Sequence, residues 1–239
     1  MVSEIKTWYK LLADLVRYNL KIIFSGVFVY FAAAAGLVLF LLILLVAYNT
    51  DAVMPLPDSA YYMLLLPGIV ILLYPTAYGI QNDMDAKMME VLIGIPNYRY
   101  KIWVARMAIV GLVEFLITLI FCLIVDLIFI SMNVLEMAYQ LMYPFLFLSM
   151  LTFMISTLVR SGPGTAAVTI IIMLIFFILS GPLVESQWNL FLNPFENPTD
   201  ISGMIWMDRI LYNRVVLVIG TVIFSLVSLY SLQKRHRFI

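Results

Sequence analysis

Long uncharged runs separated by short charged segments set the pattern of this chain. Ile22 to Thr50 holds 29 residues without a charge, Ser59 to Asn82 holds 24, Met137 to Val159 holds 23, Ser161 to Val184 holds 24 and Val215 to Gln233 holds 19. A further run, about Ile102 to Ile130, is as apolar but contains Arg106, Glu114 and Asp126. About 20 helical residues cross a hydrocarbon core roughly 30 Å thick, so each run predicts a membrane-spanning helix. The expected fold is all-α, with six transmembrane helices in an integral membrane domain over residues 22–239. Between spans four and five, Arg160-Ser161-Gly162-Pro163 leaves room only for a tight turn, with Pro163 suited to a helix start.

The flanking segments carry their own periodicities. Over residues 1–21, Ile5, Trp8, Leu12, Leu15 and Val16 recur at helical spacing, and Lys10, Asp14, Arg17 and Lys21 recur on another face. That pattern predicts an N-terminal amphipathic helix lying in the membrane interface. The segment about 184–214 holds Trp188, Phe191, Phe195 and Trp206 with Pro194 and Pro198. It is expected to be an ordered outside loop that dips back into the interface as short helices.

Composition agrees with a lipid-covered surface. The chain is 64% hydrophobic and 12% charged, with a mean hydropathy of +1.04, against about 25% charge in a soluble domain. Its formal net charge is zero, which implies no nucleic-acid partner. The placement of the charges is more informative than their sum. Of 14 Lys and Arg residues, 12 precede span one, lie between or next to spans two and three, lie between spans four and five, or follow span six. The alternate loops carry Asp51, Asp58, Glu136, Glu185, Glu196, Asp200 and Asp208, with Arg209 and Arg214 as their only cations. By the positive-inside rule, both termini are expected in the cytoplasm.

Several kinds of chemistry are missing. Cys122 is the one cysteine, so no disulfide forms within the chain. His236 is the one histidine and sits in the basic tail, which removes a His-ligated zinc site and a Ser–His pair at membrane depth. No GxSxG, HExxH or GxxxxGK[ST] occurs, so the chain is expected to have no catalytic, metal or nucleotide site of its own. Two acids inside span three are candidate functional groups, because ionisable residues at membrane depth are expensive. Glu114 lies about 12 Å along the helix from Arg106, near mid-membrane, and is either functional or a neutral or hydrogen-bonded packing residue. Asp126 lies near the outside end, where a helix-end role is the alternative. Small-residue runs, Ala32 to Gly36 in span one and Gly162, Gly164, Ala166 and Ala167 in span five, mark close helix contacts within one chain or between two.

The segment about 82–101 between spans two and three reads as a short amphipathic helix. Asn82, Asp83 or Asp85 can cap it, Met88, Val91 and Leu92 share an apolar face, and Gly94 with Pro96 stops it. Met88 and Met89 beside Asp85 and Glu90 make an adaptable knob for a soluble partner. In Asp83, Glu90, Leu92, Pro96, Arg99 and Arg106 this loop resembles the ABC-2 family of ABC-transporter permeases, with Lys87-Met88 where that family carries Gly-Thr. Six spans, an N-terminal interfacial helix and Asn193-Pro194-Phe195 in the long loop before span six are similar to the family's layout.

The resemblance implies a permease subunit of a prokaryotic plasma (inner) membrane exporter for a hydrophobic or amphipathic substrate. A separate cytosolic ATPase subunit would hold ATP and Mg. Asp83, Asp85, Met88, Met89, Glu90 and Leu92 would contact it through a cytoplasmic coupling helix. A second permease copy or paralogue would pair at spans one and five, through Ala32, Gly36, Gly162, Gly164 and Ala167. The alternative is a non-transporting scaffold or mechanical transmitter driven by the same kind of ATPase.

Overall fold

The computed structural model describes residues 26–49, 57–85, 98–129, 131–196, 198 and 201–232. Regular structure among them is entirely helical: α1 Gly26–Asn49, α2 Pro57–Ala77, α3 Gly79–Asp85, α4 Tyr98–Ile128, α5 Val134–Val159, α6 Gly162–Ser180 and α7 Gly203–Leu232. α2 and α3 are one crossing, bent at Tyr78. Pro75 just before the bend cannot donate to Ile71, and its ring crowds that carbonyl. Six helical crossings are therefore long and apolar enough to span a membrane. The fold is that of a multi-pass membrane protein.

The crossings alternate in direction. Ile80, Trp103, Phe153 and Leu232 share one buried cluster, and Phe31 packs on Tyr78, so these residues mark one end of the bundle. We call it the Arg160 end, after the turn that joins α5 to α6. At the opposite end Asn193 Nδ2 donates to the Asp58 carbonyl at 2.9 Å, and this is the Asn193 end. The first and last described helices start and finish, respectively, at the Arg160 end.

Two crossings form the interior. Over an 18-residue stretch of each crossing, about 67% of residues are buried in α2–α3 and 61% in α5, against 11% in α1. These two are also the least apolar of the six, as expected where lipid coats the outside and hydroxyl groups are kept from it. α5 touches α2, α4, α6 and α7. Its Leu141, Phe145, Leu148 and Leu151 meet Tyr61, Leu64, Leu65 and Leu72 of α2 and Cys122 and Val125 of α4. Gly68 makes the α2–α5 approach possible, because a Cβ there would fall inside the contact distance of the Phe145 ring. On α5, Thr152 and Thr157 hydroxyls donate to their own helix at Leu148 and Met154. Ser156 Oγ reaches across to the Ala77 carbonyl at 3.1 Å.

The tight turn at 160–163 is present. Arg160 closes α5 in the left-handed conformation, φ 60°, and Ser161 caps α6 by accepting from the Gly164 amide. The stretch before the last crossing differs from expectation. α7 begins at Gly203, not near Val215, so Asp208, Arg209, Asn213 and Arg214 lie on the helix rather than in a loop. Between α6 and α7, residues 183–192 form successive turns in which Ser186, Asn189 and Leu192 each donate to the carbonyl three residues back. The short interfacial helices expected there are absent among the described residues.

Candidate functional site

The loop singled out by the sequence starts on a well-held base. α3 carries the chain to Asp85, and the backbones of Asp83 and Asp85 are helical. Gln81 accepts a hydrogen bond from the Gly162 amide at the start of α6. Asn82 Nδ2 donates to the Tyr74 hydroxyl at 3.4 Å. Tyr74 and Tyr78 stack at 5.4 Å, and Phe31 of α1 packs against both. Spans one, two and five thus meet where α3 leaves the bundle. Met88, Met89, Glu90 and Leu92 lie outside the described residues, as does the segment 1–21 with its expected interfacial helix.

The five small residues part ways. Gly162 is buried within the chain, and a Cβ there would strike Tyr78 and Gln81. Its small size therefore serves the contact of α6 with the α2–α3 crossing. Gly164 is half-buried against its own turn at Val159 and Ser161. Ala32 and Gly36 are half-buried, with nothing within 4 Å of a Cβ placed on Gly36, and Ala167 is exposed. Gly36 and Ala167 are accordingly open on the surface of this single chain.

The two intramembrane acids also differ. Asp126 Oδ1 accepts from the Met132 amide at 2.8 Å and so ties down the turn between α4 and α5. Glu114 is 2% exposed on α4. Its Oε2 accepts from Ser149 Oγ of α5 at 3.3 Å, while Oε1 has no partner. Among the described residues, no group of three or more His, Cys, Asp or Glu side chains could hold a metal ion.

The densest polar constellation is one the sequence pattern did not single out. Asn213 Nδ2 donates to the carbonyls of Gln187 at 2.9 Å and Asn189 at 2.8 Å. Arg214 donates through Nε to Gln140 Oε1 at 2.9 Å, through Nη1 to Asn213 Oδ1 at 2.9 Å, and through Nη2 to the Leu192 carbonyl at 3.4 Å. Its guanidinium also lies 5.1 Å from the centre of the Tyr143 ring. Asn189 and Asn193 turn their side-chain oxygens to the amides of Phe191 and Phe195. All four of these Asn and Arg side chains are buried. Arg209 adds a hydrogen bond to the Glu185 carbonyl at 2.8 Å and an ion pair with its carboxylate at 3.7 Å. The network exchanges exposed backbone carbonyls for side-chain donors, which lets an irregular segment sit against the helices. The signal available for it was the clustering of Asn189, Asn193 and Asn213 with Arg214 near apolar stretches.

The chain matches no known family model, no curated protein and no solved structure.

Proposed function

We propose that this chain is the membrane-spanning permease subunit of an ATP-binding-cassette exporter, working with a separate cytosolic ATPase and a second permease copy or paralogue. The observation that carries this proposal is the base of the loop between spans two and three. α3 continues span two past a bend at Tyr78 and is hooked through Gln81 to the start of α6, while Phe31 of α1 packs on Tyr78 at the bend itself. A displacement applied to the segment beyond Asp85, with its Met88, Met89 and Glu90, would act on spans one, two and five. The 12 Lys and Arg residues that share one side support a cytoplasmic Arg160 end, where such an ATPase would dock. The open Gly36 and Ala167 support a partner permease at spans one and five. The cargo class that fits is hydrophobic or amphipathic, and the membrane is the plasma (inner) membrane of a prokaryote.

The test is to co-express the chain with the ATPase encoded beside it, purify the pair in nanodiscs and measure ATP hydrolysis. Expected are co-purification, hydrolysis that depends on this chain, and loss of both in the Asp85→Ala/Glu90→Ala double variant. A chain that retains no ATPase under these conditions would rule the proposal out.

A further inference from the structure

One face of the bundle carries a groove that touches the polar network only at Tyr143. α5 forms its floor and α7 one wall, and α4 forms the other wall along the larger stretch. It consists of two stretches, of about 430 and 240 Å³, that share Met142 and Leu146. The larger runs from Phe153 past Met107, Met150 and Gly111. The smaller continues to Tyr139 between Val218 and Val222. From Phe153 to Tyr139 the floor helix rises about 21 Å at 1.5 Å per residue, so the groove follows the membrane-crossing direction for more than one leaflet's depth of a roughly 30 Å core.

Its lining settles what kind of molecule it suits. No charged side chain borders either stretch. Its few hydroxyls are mostly turned to the protein: Thr221 donates to the Leu217 carbonyl and Ser225 to the Thr221 carbonyl, both at 2.8 Å, and Tyr139 and Tyr143 share one hydrogen bond at the far end. An extended polar chain would find few partners along the groove and would leave most of its own groups unsatisfied. Three methionines, Met107, Met142 and Met150, give the walls adaptable, polarisable surface. A single hydrocarbon chain fits, and lipid is the medium against which the crossing helices stand.

We infer that this groove between spans three, four and six is a binding site for one acyl chain of a bilayer lipid, held in place rather than exchanging freely with the surrounding bilayer. Gly111 shapes the wall, since a Cβ there would lie 3.2 Å from Leu146.

The experiment uses the full chain in nanodiscs containing a trace of phospholipid with a photoactivatable diazirine near the end of one acyl chain. After illumination, adducts are mapped by peptide mass spectrometry. Adducts at Met107, Met142 and Met150 should exceed those at the open residues Leu41 of α1 and Ile171 of α6 several-fold. Ser225→Phe from one wall and Leu146→Trp from the floor each narrow the groove. Either should bring the methionine adducts down to the level at Leu41 while leaving Leu41 unchanged. Even labelling across all faces, or methionine adducts that survive both substitutions, would overturn the inference. So would crosslinks from these methionines to a second copy of the chain, which would assign the groove to a protein neighbour.

Discussion

α5 and α1 are both apolar helices long enough to cross a membrane, yet they solve opposite problems. α5 is enclosed by four other helices and carries Ser149, Thr152, Ser156 and Thr157 in its interior. α1 packs chiefly on α2 and turns Leu37, Leu41, Leu44 and Leu45 outward. In water the more polar helix would be the outer one. Here it is the inner one, because lipid rewards nothing but hydrocarbon on the outside, while an internal helix can offer hydroxyls to its neighbours. Apolarity in this chain therefore marks exposure, and a modest polar content marks the core.

The largest expected effect comes from breaking what the core presents at the Asn193 end. Arg214→Ala would strip donors from Gln140, Asn213 and the Leu192 carbonyl, costing about 3 kcal/mol for a buried charge-assisted network. The thermal midpoint in detergent should fall, and limited proteolysis should cut between residues 181 and 198. Arg214→Lys should not restore the wild-type pattern, since a single ammonium nitrogen cannot reach the three separated acceptors that Nε, Nη1 and Nη2 serve. The next effect belongs to the α2–α5 contact. Gly68→Ala drives a methyl into the Phe145 ring and should cost about 2 kcal/mol. Pairing it with Phe145→Leu should recover much of the loss in a double-variant thermal melt. The smallest effect is expected on α1. Leu44→Ala and Leu45→Ala, at residues 49% and 58% exposed, should each stay within about 0.5 kcal/mol. A markedly larger loss there would mean that another protein, not lipid, covers this face.

Much of the fold was legible because lipid leaves little freedom. A crossing must be an unbroken apolar helix, and five uncharged runs plus the Ile102–Ile130 run all recur as helices. The start of α7 was not legible for the converse reason. Asp208, Arg209 and Arg214 read as loop charges, yet Arg209 and Arg214 are held on the helix by backbone carbonyls from a segment about 20 residues upstream, and composition carries no trace of such pairing. The partner of Glu114 was hidden in the same way, since Ser149 is 35 positions away on another helix. Gly162 shows that a small residue announces a close approach without naming its partner, because the surface it meets is Tyr78 of the same chain. Among the ATPase-facing candidates, the structure describes the backbone of Asp83 and Asp85.

The direction in which α5 reaches for its partners bears on how the protein is made. Its inward hydroxyls contact either their own backbone, at Leu148 and Met154, or residues already synthesised, at Ala77 and Glu114. When this segment leaves the ribosome, the groups that pair with its Ser and Thr hydroxyls have already been made, and Gln140 is left to wait for Arg214 of the last helix. Most of the polar interior can thus close in the order of translation, with the final helix sealing the Asn193 end.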